Sequence, residues 1–142
     1  MHNVLRTVVL SVCLGLLPCG AHGERWVEFH AETWSQFSQK LKKNLQFSSH
    51  SYFDDDRIRR SADGEVTVWI RDVTHNDKFY VGKGIPEKEV VYKQVVLRCM
   101  SRRYAVILGE NGDVEVQETA SEEVRAGSAY DKLFNRLCTV SQ

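Results

Sequence analysis

The sequence predicts an α+β domain: an antiparallel β-sheet of about five to six strands, a C-terminal helix packed on it and pinned by a disulfide, and an extra N-terminal helix. Three observations lead there. Runs of alternating apolar and polar residues, divided by turn signals, fill the middle of the chain. The last segment, Ser128 to Cys138, switches to helical spacing. Two cysteines, Cys99 and Cys138, lie one at the end of a strand-like run and one at the end of that helix.

Residues 1–23 read as a secretory signal. Arg6 supplies the positive start, Val8 to Leu17 is an apolar run too short to span a membrane, and Ala21-His22-Gly23 offers small residues where cleavage needs them. Cys19 after Leu16-Leu17-Pro18 raises lipid anchoring as the lesser alternative, because Pro18 occupies a position where lipoprotein processing wants a small residue. Cleavage leaves residues 24–142 as one domain. It also removes Cys13 and Cys19, so an even pair, Cys99 and Cys138, remains in an oxidising compartment.

Trp26 and Val27 open the domain as a short strand. From Ala31 to Leu45 the period changes, with Trp34, Phe37, Leu41 and Leu45 roughly on one helical face, which predicts a helix. Lys40, Lys42 and Lys43 then read as its solvated edge, with a basic helix lying on a membrane surface as the alternative. Phe47 to Phe53 returns to strand composition. Asp54-Asp55-Asp56 resembles a calcium ligand run, but Arg57 and Ile58 follow where an EF-hand continues with ligands and a glycine. A polar turn is expected there, with carboxylates bonding local N–H groups and no metal.

Asp63-Gly64 is a hairpin signal, and Glu65 to Arg71 alternates cleanly after it. Val66, Val68 and Ile70 share one face; Thr67, Trp69 and Arg71 share the other. An indole on the second face predicts a cover over both faces at Trp69. Thr74 to Lys88 reads as a polar connector; its Gly82-Lys83-Gly84 lacks the spacing of a phosphate loop. Val90 to Cys99 and Arg103 to Gly109 form two strands joined by a tight turn at Met100-Ser101-Arg102. Glu110-Asn111-Gly112-Asp113 signals another hairpin, and Val114 to Val116 starts the last strand.

The closing helix has the firmest pattern. Ser128 is an N-cap hydroxyl with Asp131 three residues on, an acidic variant of the capping box. Tyr130, Leu133, Phe134, Leu137 and Cys138 follow on one face. Cys138 is therefore buried-side, and Cys99 lies on the strand face of Val91, Lys93, Val95 and Leu97. The two thiols are expected to be joined.

From Trp26 to Cys138 the chain resembles the surface-adhesin protein E family. The resemblance rests on Trp26-Val27, on Ser51-Tyr52-Phe53-Asp54 before Ile58, on Asp63 to Trp69, on Leu97-Arg98-Cys99 with Arg103-Tyr104, and on Ser128 through Leu133 to Cys138. It implies an exported bacterial domain with an antiparallel sheet, a C-terminal helix, a Cys99–Cys138 disulfide and adhesion to extracellular proteins. The helical stretch Ala31 to Leu45 departs from it, since a shorter connection is expected there. No binding residues are transferred.

Composition narrows the function. Lys+Arg and Asp+Glu both number 19, and loss of Arg6 with the signal moves the net charge only to −1. A near-neutral chain has no global field for nucleic acid or an anionic membrane. His30, His50 and His75 show neither metal-ligand spacing nor a nucleophile partner, and no cofactor motif is present. The reading is an exported, non-enzymatic interaction domain, adhesin-like, whose partner is an extracellular-matrix or envelope protein. The alternative is a periplasmic small-ligand binder with a cleft between the sheet and the Trp34 helix.

Overall fold

Two long strands open the domain. The computed structural model describes residues 24–108, 117–118 and 120–138. In it β1 (Trp26–Ser38) and β2 (Lys43–Asp54) pair antiparallel around a turn at 39–42, with a bulge between Glu28 and His30. The expected helix over Ala31 to Leu45 is therefore strand, turn and strand. Its apolar spacing spanned a chain reversal: Trp34 stacks on Phe47 across the ladder, ring centroids 5.5 Å apart, while Phe37 points to the other side. Thr33, Ser35, Ser38 and Asn44 lose little by leaving a helix, and a cross-strand aromatic pair rewards the ladder. Lys42 turns the corner at φ 51°.

The remaining strands follow by hairpins. β3 (Arg59–Arg60) and β4 (Glu65–His75) are joined through Asp63-Gly64, where Gly64 adopts φ 81° as the turn requires. β5 (Lys88–Arg98) and β6 (Arg103–Leu108) pair across a short turn, and the two-residue strands β7 (Gln117–Glu118) and β8 (Glu122–Glu123) both pair with β6. The sheet order is β1-β2-β4-β5-β6-β7, with β3 continuing the β2 edge of β4. It is antiparallel throughout and curls into a half-barrel.

The polar connector is shorter than expected. β4 runs on to His75 and β5 begins at Lys88, and between them α1 (Lys78–Val81) makes one turn capped by Asp77. The signal segment 1–23 with Cys19, the Glu110–Asp113 hairpin and the strand start at Val114–Val116 lie outside the described residues.

One face of the sheet holds the core. Val66, Val68 and Ile70 of β4, Val95 and Leu97 of β5, and Phe53 of β2 are buried there, in the period of two that the sequence shows. They pack against Leu133, Phe134 and Leu137 of α2 (Ala129–Leu137). Ser128 Oγ accepts from the Asp131 N–H at 3.2 Å, and Asp131 reaches back to the Gly127 N–H at 2.9 Å and to Arg102 at 2.8 Å. At the far end, Arg60 donates to the Leu137 carbonyl at 2.6 Å, and Cys138 is bonded to Cys99 across a Cα–Cα distance of 5.4 Å. The α2 position on the sheet is thus fixed by side-chain packing, a cap at one end and a covalent link at the other.

The cover expected over Trp69 takes a different form. Trp69 is half-buried, and among the described residues no helix lies over it. The Arg57 guanidinium sits 5.7 Å from its ring, held in place by Asp54 and Glu24. An arginine stem and guanidinium shield an indole without a second layer of structure.

Candidate functional site

The concave face beyond the core ends in a groove of about 630 Å³. It is built from residues that the strand registers align. Ser51 of β2 pairs with Asp72 of β4, and Asp72 with Val91 of β5. Lys93 is one step toward the core, beside Ile70. The N-terminal turn of α2, with Ser128, Ala129 and Tyr130, forms the opposite wall. The cleft expected against a Trp34 helix is absent, because Trp34 lies on a strand; this groove is formed against α2.

Its floor is a polar chain. Ser51 Oγ donates to Asp72 Oδ1 at 2.6 Å, and Lys93 Nζ meets Asp72 Oδ2 at 2.6 Å. Burial works against the Lys93 charge, yet the bonds to Asp72 and Tyr130 outweigh it and raise the ammonium above its ordinary value. Tyr130 stacks on Tyr104 with centroids 4.0 Å apart. Burial, then the hydrogen bond to Glu122, pushes the Tyr104 hydroxyl up to about 12. At the rim, His30 Nδ1 lies 3.2 Å from Lys132 Nζ, and His30 Nε2 lies 3.5 Å from Glu32. The groove can hold a small polar molecule by hydrogen bonds and an aromatic wall.

The convex face carries a different surface. Glu28, Tyr52, Arg71 and Tyr92 form one row across β1, β2, β4 and β5. Arg71 lies between two rings, 4.7 Å from Trp26 and 4.8 Å from Tyr52, and its buried Nε has no hydrogen-bond acceptor. Tyr92 rests 5.9 Å from Trp26 and is 54% exposed. Glu28 Oε2 lies 2.9 Å from His50 Nδ1, and that bond lowers the Glu28 carboxyl below its ordinary value. Burial, then the Glu28 charge, raises Tyr52. A rigid row of aromatic rings around an arginine is the composition of interface hot spots.

The three histidines are separated by these faces. His50 meets His75 edge-on at 6.3 Å on the convex side, and His30 sits on the concave rim. Among the described residues, no group of three His, Cys, Asp or Glu side chains is arranged to hold a metal ion. Asp54 is buried in the polar turn, accepting from the Asp56 N–H at 3.0 Å and binding Arg57, whose guanidinium is raised above its ordinary value chiefly by that bond. No described helix is long and apolar enough to cross a membrane.

Sequence reasoning missed Ser51, Asp72 and Lys93 because each is unremarkable on its own strand. Only the β2–β4–β5 register joins them. Arg71 and Trp69 were legible as a polar-side pair, but the contribution of Trp26 and Tyr92 depends on the curl of the sheet. No family model, no curated protein and no solved structure matches this chain.

Proposed function

We propose that this chain is an exported, non-enzymatic interaction domain that binds an extracellular-matrix or envelope protein through the convex face of its sheet. The observation that carries the reading is the row Tyr52–Arg71–Tyr92 with Trp26, a preformed aromatic and arginine surface on a rigid sheet. Tyrosine, tryptophan and arginine contribute most of the energy where proteins meet, and little side-chain entropy is lost when they are already packed together. Export is supported by the signal-like residues 1–23 and by the disulfide, a bond that persists in oxidising compartments. The resemblance to the surface-adhesin protein E family points the same way.

The test is saturable binding of the processed chain to immobilised extracellular-matrix proteins. Tyr92→Ala, at an exposed position, should weaken that binding at least about tenfold, the scale of a hot-spot residue, with the melting temperature nearly unchanged. Binding that is equally tight in Tyr92→Ala, or no saturable binding at all, overturns the reading.

A second reading is favoured by the polar floor Ser51–Asp72–Lys93: a small polar ligand held in the groove against α2. Native mass spectrometry of protein from its own envelope tests it. A bound small molecule that disappears in Lys93→Met supports it, and ligand-free protein counts against it.

A further inference from the structure

We infer that the hairpin end of the molecule, the β1–β2 tip together with α1 and the turn after it, docks on an anionic phospholipid surface. This goes beyond the protein-binding reading and uses none of its residues. Trp34, Phe37, Phe79, Val81 and Ile85 are large apolar side chains left exposed at this end. They belong to one body. Gln46 donates its N–H to Asp77 Oδ2 at 2.6 Å, which ties α1 to β2, and Phe47 joins Trp34 to Tyr80 with centroids 5.5 and 5.9 Å apart. Phe79 lies under the Lys43 ammonium, 2.7 Å from ring centroid to Nζ, with Lys78 Nζ at 5.5 Å.

Charge decides the occupant. Residues 33–47 and 78–86 contain five lysines, Lys40, Lys42, Lys43, Lys78 and Lys83, and no acidic residue. Of the three carboxylates that border these stretches, Asp77 is buried and occupied by the N–H groups of Gln46 and Phe79, while Glu32 and Glu87 are exposed at their outer ends. A chain with no net charge has thus gathered a lysine-rich, positive tip. Lysine is depleted in the cores of protein interfaces, whereas lysines flanking tryptophan and phenylalanine are the composition of surfaces that enter lipid headgroups. A second copy of this chain would set five lysines against five, which repel. Anionic headgroups complement all of them, while the rings and aliphatic side chains between the lysines gain burial at the acyl boundary.

The test is co-sedimentation with vesicles, using chains isolated with the amino terminus they carry in the cell so that residues 1–23 contribute equally to every arm. Wild type should partition at least about a hundredfold more strongly onto vesicles containing phosphatidylglycerol than onto pure phosphatidylcholine, and high salt should weaken that binding. Lys40→Gln with Lys42→Gln and Lys83→Gln should reduce it about a hundredfold, from about fivefold per lysine removed near an anionic surface. Phe37→Ser with Val81→Ser should weaken the binding that survives high salt. Equal partitioning onto both vesicles, or full binding by the triple variant, overturns the inference. So does a concentration-dependent dimer that the Phe37 variant abolishes while vesicles capture nothing.

Discussion

The two ends of the sheet treat apolar side chains in opposite ways. At the disulfide end, α2 presents Leu133, Phe134 and Leu137 to Val66, Val95 and Leu97, and all of them are buried. At the hairpin end, α1 buries none of its four residues, and Phe37 on the tip is 51% exposed. Both helices begin with a side-chain cap: Ser128 on the Asp131 N–H, Asp77 on the Phe79 N–H. Capping therefore does not distinguish them. Length and spacing do, because nine residues carry an apolar face through more than two turns and four residues carry none. A cap starts a helix; only a buried face makes it part of the core.

The comparison breaks most readily at the covalent link. Cys99→Ser with Cys138→Ser should cost ~4 kcal/mol, because a cross-link over 39 residues removes that much chain entropy from the unfolded state. Urea unfolding of both proteins measures it, and a loss under ~1 kcal/mol would show that packing alone fixes α2. Leu133→Ala comes next. Its side chain is fully buried, so lost transfer energy and a residual cavity should together cost ~3 kcal/mol in the same assay.

Trp69 tests the sheet between the two ends. The sequence predicts a cover over it; it is half-buried under Arg57. Trp69→Ala should cost ~2 kcal/mol, less than a fully buried aromatic, and Arg57→Ala should reproduce part of the same loss without removing the ring. Additive losses in the double variant would mean that the two side chains do not support each other.

At the hairpin end the corresponding contact is the Asp77 carboxylate. The N–H groups of Gln46 and then Phe79 hold it below its ordinary 3.8, so its charged form favours the folded chain. The stabilisation is complete above that ordinary value and is lost as pH falls through the lowered folded value. Asp77→Ala should lower the melting temperature by about 5 °C at neutral pH, the size of a lost cap, and should flatten the loss of stability on acidification. An unchanged acid profile would remove Asp77 from that role.

The contrast between the ends also explains what was legible. The α2 face, its Ser128 cap and the Val66–Val68–Ile70 alternation were readable because each is set by spacing within one segment, and the Cys99–Cys138 link because only one pair of cysteines remains after cleavage, each on an apolar face. Ala31 to Leu45 misled because four apolar residues fell at helical intervals on both sides of a turn. The partner of Trp34, Phe47, lies on the returning strand beyond the turn, and the carboxylate that holds the adjoining Gln46 backbone, Asp77, lies 31 residues on. The groove failed for the same reason. Ser51, Asp72 and Lys93 are polar residues on the core face of three strands, a break in each alternation that means nothing until the register lines them up.

The smallest effect belongs to Phe37. It points away from Trp34, pairs with Asn44 near the tip, and leaves half its surface in water. Replacing it with serine removes little buried area, so the cost to stability should stay within ~0.5 kcal/mol, the range of surface substitutions. Serine is a poorer strand residue than phenylalanine, but the tip is a two-strand ladder where cross-strand pairing contributes only tenths of a kcal/mol. Urea unfolding of Phe37→Ser beside Leu133→Ala then sets the two ends on one scale. A cost above ~1.5 kcal/mol would mean that the tip folds over Phe37 in solution and belongs to the core after all. A neutral result would leave an apolar side chain that the fold does not need, at the end of the molecule where the lysines are.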